Sequence, residues 1–233
     1  MKKVLNYLFV AIVIIAFQSC SSSYYPSSAN VSLFRAKNEL KANIGISPSS
    51  ANVDISYSIT DNFMVTGGAF GFMQKESSLG NQTYKPSKGY SFNIAPGYFL
   101  PFGHQGVFEV LVGYGYNYSN AQHTEGNFHK LFIQPSIGFS KNYFELAFTP
   151  RFTTIFIDQN TFLDKRPSQY DMFIEPIGTI RAGGENFKVT TQIGFTIPTA
   201  NMNYQINPAY WNFGIQYHFI NKKAADWPTI SDY

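Results

Sequence analysis

The sequence predicts an all-β protein, a ten-stranded antiparallel up-and-down transmembrane β-barrel. Three observations predict it. Ten segments alternate between large apolar and small or polar residues, the period of a strand with two unlike faces. The connections between them alternate between tight turns and longer polar loops. Charged residues make up only 13% of the chain while aromatic residues reach 18%, an unusual balance for a chain surrounded by water on all sides.

The N-terminus precedes this pattern. Lys2 and Lys3 form a positive region and Val4 to Phe17 a short apolar one. The apolar run is shorter than a helical membrane span needs and reads as a secretory signal over residues 1–19. It ends in Phe17-Gln-Ser-Cys20 followed by three serines. This resembles a bacterial lipobox, with a small residue before the Cys that becomes lipidated; Phe17 departs from the usual Leu. Cys20 is therefore the expected lipidation site. It is also the only cysteine in the chain, which excludes an internal disulfide or a cysteine-based metal site. Residues 20–38, rich in Ser, read as a lipidated linker, residues 39–219 as the barrel, and residues 220–233 as a periplasmic tail.

Strands are expected at about 39–47, 52–60, 62–74, 89–101, 107–120, 129–141, 143–156, 169–182, 187–199 and 209–219. In the fifth, Phe108, Val110, Val112, Tyr114, Tyr116 and Tyr118 share one face, opposite Glu109, Gly113, Gly115 and Asn117. In the seventh, Phe144, Leu146, Phe148, Phe152 and Phe156 lie opposite Glu145, Thr149, Arg151 and Thr153. The last, Trp211 to Phe219, places an aromatic or Ile at every odd position. The third is ambiguous, because Gly67, Gly68 and Gly71 blur its faces.

Short turns follow the even strands, at 61–62, 102–106, 141–142 and 183–186. Longer loops follow the odd ones after the first, at about 75–88, 121–128, 157–168 and 200–208. Membrane barrels sort their connections this way, with short periplasmic turns and long external loops. An even strand number then puts both termini on the periplasmic side. Mean hydropathy is slightly negative, which excludes a bundle of membrane helices but not a barrel whose lumen is polar.

Pro96, Pro135, Pro150 and Pro176 fall inside strands, where proline removes a ladder donor. All four share the outward phase. Such recurrence points to a bulge or to a gap in the ladder.

The inward phase carries charge. The seventh strand turns Glu145 and Arg151 inward, the eighth Glu175 and Arg181. Antiparallel partners keep a constant index sum, so one register satisfies both Glu145–Arg181 and Arg151–Glu175. Buried charges in a narrow lumen require such pairing.

No catalytic constellation or metal-ligand motif is present at a credible spacing, and no cofactor is expected. Removing Lys2 and Lys3 lowers the net charge from +3 to +1, so nothing points to nucleic acid. His123 and His129, with Asp158, Asp164 and Asp171, flank two external loops and allow an omptin-like rim protease as one alternative. His104 falls in a turn and His218 points inward on the last strand; both read as structural. A soluble, lipid-anchored calycin-like barrel carrying a small apolar ligand is the other alternative. It would turn the aromatic face inward and the charged face outward.

Tyr24-Tyr-Pro-Ser-Ser-Ala-Asn-Val-Ser-Leu-Phe34, Glu39-Leu-Lys-Ala and Val53-Asp-Ile-Ser-Tyr-Ser-Ile-Thr-Asp-Asn62 resemble the small outer-membrane β-barrel lipoproteins of the Bacteroidota. The resemblance implies an outer-membrane barrel with a periplasmic-leaflet lipid anchor, and no assigned activity or site residues. The expected partners are outer-membrane lipid and a further protein of the outer membrane or periplasm, in a structural or accessory, non-enzymatic role.

Overall fold

The computed structural model describes residues 24–79, 82–84, 86–121, 124–157, 169–200 and 206–219. Ten strands form the barrel wall: β1 (Leu40–Ser47), β2 (Ser50–Ser58), β3 (Phe63–Gln74), β4 (Ser87–Phe102), β5 (Gly106–Ala121), β6 (Thr124–Ser140), β7 (Phe144–Ile157), β8 (Gln169–Gly183), β9 (Phe187–Phe195, continued by Ile197–Pro198) and β10 (Ala209–Phe219). Each pairs antiparallel with its sequence neighbours. The last pairs with the first, from Leu40 opposite Phe219 to Ile46 opposite Phe213, which closes the sheet and leaves no edge.

Alternation decides which way each side chain points, and closure converts that into inside and outside. Large apolar residues stand exposed on all ten strands, among them Ile44, Ile55, Phe63, Phe92, Val112, Ile133, Phe148, Met172, Ile193 and Phe213. Polar and charged residues are buried within. On β3 the even positions Met64, Thr66, Phe70, Phe72 and Gln74 are the buried ones, which settles the ambiguity left by its glycines.

The strands differ from expectation at one end. β5 and β6 run on past the expected loop at 121–128 and pair as far as Ala121 opposite Thr124. Much of the expected 75–88 loop is a short hairpin, Ser77–Leu79 with Gln82–Tyr84. The period of two persists through polar residues there, so hydrophobic alternation underestimates strand length.

The four prolines have a common explanation. The β4–β5 ladder passes from Ile94–Tyr114 to Gly97–Leu111 and skips Pro96. The β6–β7 ladder passes from Ile133–Phe152 to Ile137–Phe148 and skips Pro135 and Pro150. The β8–β9 pairing passes from Ile174–Ile197 to Ile177–Gly194 and skips Pro176. Register is the same on both sides of each lapse. A bulge inserts a residue and shifts register, so these are gaps, caused by missing N–H donors. The break in β9 at Thr196 belongs to the third gap.

Glycines make room inside. Phe132 lies opposite Gly113, Leu111 opposite Gly97, and Tyr210 opposite Gly194. In each case a Cβ on the glycine would collide with the large side chain. These side chains therefore lie against the wall over their cross-strand glycines instead of projecting to the axis. Gly113→Ala and Gly194→Ala should each lower stability by about 1–3 kcal/mol, the usual cost of overpacking. The measurement is the temperature at which the folded, fast-migrating gel form is lost.

Candidate functional site

The lumen is occupied by the chain's own N-terminal segment. Residues 24–29 and 31–34 are buried, and they touch the inward side chains of strands all round the wall. Within the linker expected at 20–38, residues 24–34 are instead a packed part of the barrel interior. Their Ser, Asn and Ala residues read as linker composition, but inside a barrel small side chains are what fits beside inward-facing wall residues.

This strap runs the length of the barrel. At one end Tyr24 pairs in parallel with Ile206, its carbonyl accepts from the Asn207 N–H at 3.0 Å, and its ring stacks on Phe173 at 4.6 Å. Residues 157, 169 and 206 bound the long connections, so this is the long-connection end. At the other end Arg35 donates to the carbonyls of Ser140, the last residue of β6, and His104, in a short turn. β1 then begins at that end. Tyr24 therefore lies at the end of the barrel opposite to Phe219, whereas counting strands placed the start of the chain on the same short-turn side as its end. Counting strands gave the starting end of β1 but carried no information on the path of the residues before it.

An extended segment inside a barrel has no neighbouring strand to take its backbone hydrogen bonds, and a buried unpaired N–H or C=O is costly. Wall side chains take that part. Arg151 Nη2 donates to the Ser27 carbonyl at 2.8 Å. The Gln192 amide donates to the Ala29 carbonyl and accepts from the Ala29 N–H, at 2.8 and 3.2 Å. Gln134 donates to the Asn30 carbonyl at 2.7 Å, and Arg181 Nη2 to that of Val31. Glu109 accepts from the N–H groups of Ser32 and Leu33, one on each carboxylate oxygen. Lys41 Nζ donates to the carbonyls of the same two residues, at 2.7 and 3.1 Å. Leu33 has φ of 48°, a left-handed backbone unusual for Leu. That turn aims two successive N–H groups at Glu109.

The inward charges are interlinked. Glu145 stands opposite Arg181 and Glu175 opposite Arg151. Arg151 Nε lies 2.7 Å from Glu175 and Arg181 Nη1 2.8 Å from Glu145. In both pairs the arginine's Nη2 reaches a strap carbonyl. Glu145 also takes Lys188 at 2.7 Å, and Glu175 accepts from the hydroxyls of Thr153 and Tyr24. Among the described residues the buried basic and acidic side chains match in number: Lys41, Lys130, Arg151, Arg181 and Lys188 against Asp54, Glu109, Glu145, Asp171 and Glu175. A cavity of about 10 Å³ between strap and wall, beside Ser28, Asn30 and Lys130, has room for about one water.

Reasoning from sequence missed Glu109, Lys41, Gln134 and Gln192 as clamp residues. Their inward phase was readable, but nothing in alternation says that a second segment lies within reach. Of the residues considered for a rim protease, His129 is exposed on the outer face beside Tyr114 and Asp171 is buried inside, so the wall separates them. His123, Asp158, Asp164, Cys20 and the tail 220–233 lie outside the described residues. His104 lends its carbonyl to Arg35, and His218 Nε2 lies 3.1 Å from Glu39. Among the described residues no cluster of His, Cys, Asp and Glu is arranged to hold a metal ion.

Glu39 closes the strap's exit, accepting from the N–H groups of Arg35 and Ala36. Burial alone would push its carboxyl up. The His218 hydrogen bond, the Lys41 charge and the Arg35 N–H outweigh burial and hold it below the usual carboxylate range.

No protein-family model matches the chain, and no curated protein matches it. Among solved structures, the in-vitro folded OmpT, an outer membrane protein of Vibrio cholerae, superposes with a TM-score of 0.37 at 10% identity, over 80% of this chain and 62% of that one. The KdgM porin in complex with disordered oligogalacturonate gives 0.35 at 11% identity, over 78% and 99%. The chain thus spans about three-fifths of the length of the OmpT structure.

Two predictions follow from the clamp. Glu109→Gln replaces one acceptor by an amide donor facing an N–H, and should cost about 1–3 kcal/mol in a urea titration of the detergent-solubilised protein. The lowered Glu39 pKa means the folded state favours its ionised form. That stabilisation is complete above the ordinary carboxylate range and is lost as pH falls through the folded value. Stability of the native chain should therefore fall below about pH 4 more steeply than that of Glu39→Gln, measured as unfolding midpoints across an acid series.

Proposed function

We propose that the chain is an integral outer-membrane β-barrel lipoprotein of the kind found in Bacteroidota, acylated at Cys20, with a structural or accessory role and no catalysis. The observation that carries this reading is the outward face of the wall. Every strand presents large apolar side chains to the surroundings, while the inside is filled, with the buried charges and polar groups gathered there beside apolar clusters around the strap. For a barrel in water that arrangement is inverted, since soluble domains rarely expose contiguous apolar surface of this extent. In a bilayer it is what the solvent demands: apolar outside, strands paired all round the wall, no open edge.

The same arrangement counts against a calycin-like carrier, which needs the apolar face inward around a ligand. The filled lumen counts against a pore. Ten strands leave a narrow interior, and the strap with its clamp takes what there is. The separation of His129 from Asp171 leaves the rim-protease reading without a described pair to carry it.

The test is fractionation with electrophoresis. The protein should need detergent for extraction and migrate differently before and after heating. Release into buffer after removal of the acylated segment would overturn the membrane reading. Reconstituted in planar bilayers, the full chain should give no steady conductance of porin size; a stable open channel would contradict the filled lumen.

A further inference from the structure

We infer that the strap is threaded with Tyr24 at the cell-surface side of the outer membrane, so that an acyl group on Cys20 would sit in the outer leaflet rather than the periplasmic one. This rests on the membrane and lipidation readings above, and on the direction in which the strap is threaded.

Tyr24 is held at the long-connection end by Ile206, Asn207 and Phe173. Arg35 is held at the short-turn end by the carbonyls of His104 and Ser140. Twelve residues span at most about 40 Å, which leaves room for the turn at Leu33 in crossing a hydrocarbon core of about 30 Å. The strap is thus an eleventh crossing of the membrane, made inside the wall. In barrels of this type the long connections face outward and the short turns face the periplasm.

Chain reach then locates the anchor. Cys20 precedes Tyr24 by four residue steps, a span of at most about 14 Å. That is half the core thickness or less. The acyl chains cannot return through the lumen, which the strap occupies, nor reach the opposite leaflet around the outside. Insertion beside the long connections is the geometry left. The ladder closed by β1 and β10 encircles the strap, so the segment has to be in place when those strands meet. The lipid at one end and the start of β1 at Leu40 at the other would prevent the strap from sliding out.

Two epitopes on the full chain test this, one inserted between Ser23 and Tyr24 and one after Tyr233. On intact cells the first should bind antibody and the second should not; after permeabilisation both should. An N-terminal epitope hidden until permeabilisation, in a protein still extracted only by detergent, would overturn the inference. Labelling with a palmitate analogue, lost in Cys20→Ala, tests acylation separately. Absence of label in the native chain would remove the lipid anchor, while the epitope result would still report the direction of threading. A protein that fractionates with buffer would sink the membrane reading and this inference with it.

Discussion

Everything inside this barrel follows from one requirement: a peptide segment buried in the lumen must have its N–H and C=O groups satisfied without a neighbouring strand. The wall cannot meet it with backbone, because its own backbone is committed to the ladder. It meets it with side chains long enough to reach the axis. Arg151, Arg181 and Lys41 supply donors to carbonyls, Glu109 supplies acceptors to N–H groups, and Gln192 supplies both at a single residue. A lumen lined only by small polar groups would leave strap groups unpaired, and one lined by apolar groups would leave all of them so.

This requirement explains why the lumen is so heavily charged. Each cation that reaches the strap must itself be neutralised, since an isolated buried charge costs far more than a hydrogen bond returns. Glu175 neutralises Arg151, and Glu145 serves Arg181 and Lys188 together. Space follows the same logic. Phe132 and Tyr210 lie opposite glycines and so stay near the wall. Pro135 and Pro150 remove donors from the β6–β7 ladder in the row next to Gln134 and Arg151, two of the residues that grip the strap.

Much of the wall was legible in the sequence, because its signals are local. Alternation marks Trp211 to Phe219 as a two-faced strand, and the same phase marks Glu145, Arg151, Glu175 and Arg181 as inward. It failed where the signal faded: residues 122 to 127 carry no large apolar side chain, yet β6 runs back to Thr124 and pairs with β5 there. The strap was illegible for a different reason. Tyr24 to Phe34 has the small and polar composition of a linker, and its burial depends on surroundings contributed by residues as distant as Gln192. No local pattern encodes that.

The sequence by itself determined a β-barrel wall with an apolar outside, because side-chain direction in a strand depends only on the parity of position. It also supplied an inward set of paired charges, for the same reason. Only the tertiary structure decided what those charges hold, and from which end the chain enters. Those depend on closure of the sheet around a segment that forms no part of it, and closure is a property of all ten strands together.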